Sequence, residues 1–313
     1  MKIISTVNLK TLLDDLKSEF SDHDWIERSS LDDLTEDDLK TVEVLIAYDS
    51  ELDVTQMPKL KWLVWYAAGV NRLQLQYMKE HGIILTNAKG IHKIQIAEFI
   101  FAYIMADYKH LDEFHELQQM RGYKTNIRTT ELFESVICFL GTGEIAVRAA
   151  RLAQAFGMKT IGINTDGRSI EHFDETVQLA DRETAFREAD IIVNVLPETE
   201  QTTELLTMDD FKAMGDSALF INVGRGTVVN ESVLIAALTN RVIRKAALDV
   251  YYDEPLVSSH PLYELDNVIM TPHITGLSRR YNERATEILK QNMRMGIDNS
   301  DKFVNLVDYD KGY

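Results

Sequence analysis

The sequence predicts an α/β protein with about two domains. The chain has 313 residues, and domains typically hold about 100 to 200 residues each. Apolar runs of strand type alternate along the chain with segments whose apolar residues recur at helical spacing. Residues 135–156 read as a strand, a glycine turn and a helix in that order. Alternation of this kind is typical of parallel sheets covered by helices.

The first 90 residues predict a small parallel α/β domain. Its expected elements are strands at 2–7, 42–48, 60–66 and 83–87, and helices at 9–20, 34–40 and 73–81. Ligands of such sheets bind beyond the carboxyl ends of the strands. The turn after the strand at 60–66 holds Ala68, Gly69 and Val70, which makes it a candidate ligand site. On this stretch alone, a plain turn glycine is the simpler interpretation of Gly69.

Residues 94–120 predict one long helix, of a length that suits a domain crossover or a subunit interface. Histidines and acids crowd part of it, between His110 and His115, but no third-ligand pattern accompanies them, so a solvated or interfacial face is favoured over a metal site. Residues 121–130 are polar and irregular and predict a loop or arm.

The remainder predicts a larger parallel domain and a return to the first one. Its expected strands lie at 135–140, 159–164, 190–197, 218–223, 245–250 and 268–270, and its helices at 145–156, 181–189, 208–214 and 231–239. A second long amphipathic helix is expected at 279–298, after which the tail at 302–306 returns to the first domain.

Composition and charge restrict the classes of partner. The net charge of −17 argues against nucleic acid and anionic membranes, which require clustered Lys and Arg. A small anionic substrate then needs a local positive site. The one cysteine, Cys138, lies inside an expected strand, which excludes a disulfide framework and fits a reducing cytosol. No signal peptide and no run long enough to span a bilayer is recognised, so a cytoplasmic protein is expected.

The glycine turn at Gly141-x-Gly143-x-x-Ala146 is a dinucleotide-binding fingerprint, because it follows a strand and opens a helix. Gly141 allows the tight turn, and Gly143 lets the backbone approach a pyrophosphate. The free N–H groups at the helix start face the anion. The expected cofactor contacts here are Gly141, Thr142, Gly143, Glu144 and Ile145. Taken alone, the motif is equally compatible with a turn that binds nothing.

Three polar residues follow the carboxyl ends of consecutive expected strands: Arg225, Glu254 and His273. An arginine can grip a substrate carboxylate or polarise a carbonyl. A histidine can exchange the hydroxyl proton, and a carboxylate can hold its second ring nitrogen. Beside a dinucleotide, the three form a hydride-transfer set, although each one alone has a structural explanation.

Taken together, these motifs resemble the D-isomer-specific 2-hydroxyacid dehydrogenase family, in its short form, which includes glyoxylate/hydroxypyruvate reductase and phosphoglycerate dehydrogenase. The resemblance covers nearly the whole chain. It is carried by 222–226 (Asn-Val-Gly-Arg-Gly), 247–256 (Ala-Leu-Asp-Val-Tyr-Tyr-Asp-Glu-Pro-Leu) and 271–274 (Thr-Pro-His-Ile), with 196–199 (Leu-Pro-Glu-Thr) in the expected order.

The resemblance implies two Rossmann-like domains, with a parallel-sheet cofactor domain (99–285) inserted into a flavodoxin-like substrate domain (1–98 plus 286–313). The long helices near 94–120 and 279–298 would serve as crossovers, and the cofactor domains would build a homodimer. Asn71 departs from the family, which often has an acid there.

The resemblance also implies the roles of the site residues. Arg225 would bind a small 2-oxo acid, His273 would be the acid/base, and Glu254 would pair with His273. Backbone amides at Ala68, Gly69 and Val70 would hold the substrate carboxylate. Further cofactor contacts are expected at Leu196, Pro197, Thr202, Val223, Gly224, Asp249 and Thr275.

The choice between NAD(H) and NADP(H) depends on the end of the second cofactor strand. NAD-specific sites usually place an acid there, roughly 20 residues beyond the glycines. Here Asn164 or Thr165 occupies that position, and Arg168 can meet a 2′-phosphate, while Asp166 can still serve as the acid. The sequence slightly favours NADP(H).

Two function classes follow from the sequence. The first is an NAD(P)-dependent oxidoreductase that interconverts a small 2-oxo acid and its D-2-hydroxy acid. The second is a non-catalytic, nicotinamide-sensing scaffold or corepressor on the same fold, which an intact Arg225, Glu254 and His273 set does not exclude. Formate dehydrogenase chemistry is weaker, because formate has no hydroxyl proton to manage.

Overall fold

The computed structural model describes residues 1–49, 51–70 and 72–310. The chain divides into two compact units, one formed by Met1–Ile91 with Ser278–Tyr313 and the other by His92–Leu277. The second unit therefore interrupts the first along the chain. The boundaries expected from the sequence, after residues 98 and 285, lie a few residues later, inside the helices that follow the two junctions.

The first unit is built on a five-stranded sheet within the described residues. Its strands are β1 (Lys2–Ser5), β2 (Asp24–Glu27), β3 (Val44–Ala47), β4 (Trp62–Trp65) and β5 (Ile84–Asn87), and its helices are α1 (Thr11–Glu19), α2 (Glu36–Thr41), α3 (Leu75–Glu80) and the C-terminal α10 (Tyr281–Met295). The strands are all parallel, in the order β2-β1-β3-β4-β5. This is the flavodoxin-like order, as the predicted fold class requires.

The tail returns to this sheet, as the sequence predicted. The Val307 N–H donates to the Leu85 carbonyl at 2.9 Å, and Leu306 pairs antiparallel with Thr86. The tail therefore closes the edge at β5, which removes an unpaired strand from the surface.

The second unit contains a seven-stranded sheet in this part of the described chain. Its strands are β6 (Val136–Leu140), β7 (Lys159–Asn164), β8 (Glu175–Gln178), β9 (Ile191–Asn194), β10 (Leu219–Asn222), β11 (Lys245–Leu248) and β12 (Val268–Met270). Its helices are α4 (Lys93–Tyr108), α5 (Leu111–Gln119), α6 (Glu144–Ala155), α7 (Arg182–Glu188), α8 (Met208–Met214) and α9 (Glu231–Thr239).

These strands are also all parallel, in the order β12-β11-β10-β9-β6-β7-β8. This is the Rossmann arrangement with one strand added, and its switch point lies between β6 and β9. Along β6, Ile137 and Phe139 pack into one apolar cluster, and Cys138 and Leu140 pack into another. Both faces of the sheet are therefore buried, which explains why its central strands read as continuous apolar runs.

The prediction of a single long helix at 94–120 is wrong, because two helices, α4 and α5, occupy this segment. The chain breaks after α4, where His110 has a φ of 53° in the left-handed region. The Tyr108 carbonyl, which a continuing helix would use, accepts instead from the Thr130 N–H at 3.0 Å. A residue of the polar segment after α5 therefore takes the acceptor that a longer α4 would need. The spacing of apolar residues does not indicate this hydrogen bond.

Two edge strands were not predicted, and the C-terminal helix is shorter than expected. Strands β2 and β8 are short and half-exposed, so they lack the apolar run by which the other strands were recognised. Helix α10 ends before Gly296, whose φ of 77° favours glycine, and a 3-10 segment follows.

Three sequence-based expectations can be compared with the described residues. Cys138 is fully buried, and burial raises the pKa of its thiol, as expected of an inert core residue. Among the described side chains, no group of three or more His, Cys, Asp or Glu residues could hold a metal ion, and Asp112 and His115 are exposed on α5. None of the described helices has the length and apolar character needed to cross a membrane.

We predict that Asp107→Asn destabilises the second unit. The buried Asp107 carboxylate receives two hydrogen bonds from Arg244, at 2.9 and 2.7 Å, and ties the end of α4 to the start of β11. Removing one partner of a buried pair typically costs 3–5 kcal/mol. Because the Arg244 side chain is 40% exposed and can regain water, we expect a loss of about 2 kcal/mol. Urea unfolding followed by circular dichroism measures it. The exposed Asp112→Asn is the control, and equal midpoints for the two variants would contradict the prediction.

Candidate active site

The glycine turn follows β6 and has the geometry of a phosphate cradle. Gly141 has a φ of 104°, which favours glycine, and a Cβ there would lie 3.1 Å from Leu196 Cδ2. Gly143 precedes α6, and a Cβ added to it would meet no heavy atom of the described chain within 4 Å. The backbone at Gly143 is therefore open to a ligand, at the position where the sequence predicted a pyrophosphate.

Helix α6 directs its unpaired N–H groups toward this turn. Glu144 and Ile145 are its first two residues, and the Val147 N–H is bonded inside the helix, to the Gly143 carbonyl at 2.9 Å. The first N–H groups of a helix have no acceptor inside the helix and favour an anion. Alanines 146, 149, 150 and 153 are buried, which lets the helix pack closely on the sheet.

The end of β7, where the adenosine ribose is expected, contains an unpaired acceptor. Asn164 is buried, and its Nδ2 donates to the Arg168 carbonyl at 2.8 Å. Its Oδ1 is buried and has no hydrogen-bond partner among the described residues. Buried acceptors are nearly always satisfied, so a ligand hydroxyl fits this position. Thr165 is exposed, and the exposed Arg168 pairs with Asp166 at 2.7 Å.

Asparagine residues end several strands and connect the loops of the site. Asn194 ends β9 and donates to Asn222 at the end of β10 at 2.8 Å. Asn222 donates in turn to the Arg225 carbonyl at 3.0 Å. Both side chains are buried. This relay was not predicted from the sequence, although a polar residue at the end of successive apolar strands indicates it.

Arg225 is held by two glycines that permit close approach of other backbone segments. A Cβ on Gly224 would lie 2.6 Å from the Leu196 carbonyl, and one on Gly226 would lie 1.9 Å from the Tyr251 carbonyl group. The Gly-Arg-Gly turn is therefore pressed against the segment that leads to Glu254. Arg225 is half-buried, and its Nη1 donates to the Gly224 carbonyl at 2.7 Å.

The buried Asp249 organises the loop that carries His273. Its Oδ1 accepts from the Thr271 hydroxyl at 2.6 Å and the Ile274 N–H at 2.9 Å. Its Oδ2 accepts from the Thr275 hydroxyl at 2.6 Å and the Thr275 N–H at 3.1 Å. Asp249 and Thr275 therefore hydrogen-bond to each other, and the Asp249 carboxylate holds the backbone of the loop at Ile274 and Thr275.

His273 has a φ of 50°, a conformation uncommon for a residue other than glycine. Its N–H donates to the Asp249 carbonyl at 2.8 Å, so Asp249 bonds to this loop through both its backbone and its carboxylate. Such a conformation persists only where the surroundings determine it. This backbone turn directs the imidazole toward Glu254.

His273 Nδ1 donates to Glu254 Oε2 at 2.7 Å. The hydrogen bond from His273 to Glu254 raises the pKa of His273 against the opposing effect of burial. Burial alone would raise the pKa of Glu254, but hydrogen bonds from His273 and the Tyr251 N–H outweigh it and lower this pKa. The charge of Arg225 lowers both pKa values. The His273 side chain is 47% exposed, which leaves it accessible to a substrate.

The remaining residues expected to contact the cofactor are partly engaged in contacts within the protein. The Thr202 hydroxyl donates to the Pro197 carbonyl at 2.7 Å, so it shapes its own loop. The Leu196 N–H donates to Asn194 Oδ1 at 3.2 Å, and Val223 is buried. Thr142 packs over Gly162, since its Cγ2 would lie 2.7 Å from a Cβ there. These residues border the cradle at the carboxyl ends of β6, β9 and β10.

The turn at Ala68, Gly69 and Val70 belongs to the first unit. Its carbonyl groups are occupied, because Asn87 Nδ2 donates to Ala68 and Trp65 Nε1 donates to Gly69, each at 2.8 Å. The N–H groups of the three residues donate to no acceptor among the described residues. Fixed carbonyls and unpaired N–H groups suit a carboxylate ligand. Asn71 lies outside the described residues.

Comparison with known proteins identifies the family. Residues 101–275 match the model of the "D-isomer specific 2-hydroxyacid dehydrogenase, NAD binding domain". The chain is 29% identical over 249 residues to a glyoxylate reductase of Aeropyrum pernix, covering 77% of this chain and 74% of the relative. It is 28% identical over 301 residues to glyoxylate/hydroxypyruvate reductase B of Klebsiella pneumoniae, covering 91% of this chain and 93% of the relative.

A solved structure agrees over nearly the whole fold. It is that of a D-isomer specific 2-hydroxyacid dehydrogenase family protein from Aeromonas salmonicida, with a TM-score of 0.89 and 28% identity, over 98% of both chains. The family model covers more than half of the chain and coincides with the unit that holds the cradle, Arg225, Glu254 and His273. The chain therefore belongs to the D-isomer specific 2-hydroxyacid dehydrogenases, NAD(P)-dependent oxidoreductases that act on CH–OH groups.

Proposed function

We propose that the protein reduces a small 2-oxo acid of the glyoxylate or hydroxypyruvate type to its D-2-hydroxy acid. The observation that carries the proposal is the His273–Glu254 pair, with the charge of Arg225 acting on both residues. This combination provides a proton donor beside a fixed cation. The names of the relatives from Aeropyrum pernix and Klebsiella pneumoniae support the substrate class.

The dinucleotide belongs in the His92–Leu277 unit and the substrate carboxylate at the turn of the first unit. Gly141 and Gly143 let the backbone approach the pyrophosphate, N–H groups at the start of α6 bind it, and Asn164 Oδ1 accepts from a ribose hydroxyl. The unpaired N–H groups from Ala68 to Val70 hold the carboxylate. The bound nicotinamide supplies or accepts the hydride.

His273 gives its proton to the carbonyl oxygen during reduction and takes it back during oxidation. Glu254 holds Nδ1, so the other nitrogen, Nε2, is the one that meets the substrate. Arg225 polarises the carbonyl or grips the carboxylate through its guanidinium. The raised pKa of His273 keeps the imidazole charged nearer to neutral pH, which favours the reductive direction.

A substrate panel with both cofactors tests the function. The panel contains glyoxylate, hydroxypyruvate, pyruvate and branched 2-oxo acids, each with NADH and with NADPH, and it follows nicotinamide absorbance. We expect turnover of a small 2-oxo acid, with a modest preference for NADPH, because Arg168 offers a cation where an acid would favour NADH. A large NADH preference would contradict the cofactor choice. Dinucleotide binding without any turnover would favour the scaffold alternative.

We predict that His273→Ala lowers kcat by roughly 10² to 10⁴-fold, the usual contribution of a general acid or base. Dinucleotide affinity should survive, since the imidazole bonds to Glu254 and not to the cradle. Steady-state kinetics and a fluorescence titration with NADPH measure the two quantities. The control is His81→Ala, at an exposed histidine that follows α3. A near-normal kcat for His273→Ala would disprove the acid/base role.

We predict that Glu254→Gln shifts the pH profile of reduction toward acid. Reduction needs protonated His273, so the rate falls as the pH rises through the pKa of that group. Glu254 holds this pKa above its ordinary value of 6.5. Replacing the carboxylate by an amide removes the charge and lowers the pKa, so the decline should begin at lower pH. The measurement is kcat/KM against pH, and superimposable profiles would exclude the proposed coupling.

We propose that the protein is a homodimer formed through α5 and the segment after it. Leu111 and Phe114 are exposed on α5, and Met120 and Tyr123 follow with 71% and 95% exposure. Apolar side chains grouped in this way mark an interaction surface. We predict a dimer by sedimentation velocity, and a shift toward monomer for Phe114→Glu. Tyr263→Glu, at an exposed aromatic of another segment, should stay dimeric. A monomeric wild-type protein would contradict the proposal.

A further inference from the structure

An ion pair lies at the mouth of the glycine turn. Lys93 Nζ is 2.7 Å from Glu144 Oε2, and the two side chains are 46% and 54% exposed. Lys93 is the first residue of α4 and Glu144 is the first residue of α6. Farther along, Phe101 of α4 stacks on Phe156, the residue directly after α6, with ring centroids 5.3 Å apart. The two helices therefore run side by side, with both N-termini at the end where the cradle lies.

Glu144 is a negative charge at the position where an anion is expected. A carboxylate in the first turn stabilises a helix, but here it stands directly after Gly143, whose surface is open. An unpaired carboxylate would repel a pyrophosphate, and the chain has a net charge of −17 that offers no general compensation. The Lys93 ammonium neutralises this carboxylate and leaves the N-termini of two helices as the local positive field.

The start of α4 also touches the catalytic loop. The His92 ring packs against Gly276, since its Cδ2 would lie 3.2 Å from a Cβ there. Gly276 lies three residues after His273. His92 and Lys93 are consecutive, so one short segment contacts both the start of α6 and the loop that carries His273. The Lys93 ammonium, bonded to Glu144, lies beside this junction.

We propose that Lys93 promotes cofactor binding by neutralising Glu144, so that the pyrophosphate of the dinucleotide can approach the start of α6. The proposal deepens the proposed function and rests on it only in so far as the His92–Leu277 unit binds a dinucleotide. Exposed ion pairs add little to folding stability, so the loss of this pair should change ligand affinity and leave the unfolding temperature nearly unchanged. The ligands affected are nucleotides with a pyrophosphate, and adenosine alone is not one of them.

Lys93→Gln tests the proposal by calorimetric titration with NADPH, ADP-ribose and adenosine. We expect the Kd of NADPH and of ADP-ribose to rise about tenfold, since an unpaired like charge then faces the pyrophosphate, and the Kd of adenosine to stay unchanged. The matched control is Lys212→Gln, which removes the same charge from an exposed ion pair with Asp209 on α8. Thermal unfolding should give the same Tm for both variants, which separates binding from folding.

Glu144→Gln and the double variant test the neutralisation itself. Glu144→Gln should bind ADP-ribose as well as the wild type or more tightly, and in that background Lys93→Gln should cost less than tenfold. The proposal is overturned if Lys93→Gln matches Lys212→Gln, if it weakens adenosine binding equally, or if Glu144→Gln weakens ADP-ribose binding as strongly. A wild-type protein that binds neither NADPH nor ADP-ribose would instead overturn the proposed function.

Discussion

The buried Asp249 carboxylate is the constraint on which the proposed catalytic centre depends. It accepts four hydrogen bonds, all from residues 271–275, and the Asp249 carbonyl accepts a fifth from the His273 N–H. These bonds determine a backbone turn that His273 would not adopt freely, since its φ is 50°. The direction of the imidazole therefore depends on a residue that is itself hidden from solvent.

The position of Glu254 beside His273 depends on close packing between the backbone at Gly226 and the backbone at Tyr251. The turn at Gly226 is packed against Tyr251 so closely that no side chain fits between them. The Tyr251 N–H then donates to Glu254 Oε1 at 3.0 Å, which leaves Oε2 for His273. The same glycine turn presents Arg225. Backbone packing at the carboxyl ends of β10 and β11 thus fixes the three residues relative to one another.

Local periodicity was sufficient to predict the parallel sheets and the ends of most strands. The apolar runs of a sheet buried on both faces are visible in the sequence, and the residues after them were expected to form the site. The His273–Glu254 pair was expected from the ends of consecutive strands and from the family resemblance together, since neither residue is distinctive alone. Its distance and the two pKa shifts required the folded chain.

The features that the sequence did not reveal depend on contacts between distant residues. The break at His110 is stabilised by a bond from Thr130 to Tyr108, and no local pattern encodes it. Strands β2 and β8 are polar edge strands that pair only because a neighbour is present. The relay from Asn194 to Asn222 joins residues 28 positions apart. Tertiary hydrogen bonds decided each of these cases against local preference.

The most direct test of this account is the titration of His273 in Asp249→Asn, followed by NMR of the imidazole. An amide would place a donor against the N–H and hydroxyl donors of the loop, and it removes a charge that raises the pKa of His273. We expect a folded protein in which the pKa of His273 falls toward 6.5 and kcat drops at least tenfold. Asp253→Asn, at the exposed acid beside Glu254, should keep the wild-type titration. An unchanged titration and kcat in Asp249→Asn would contradict the account.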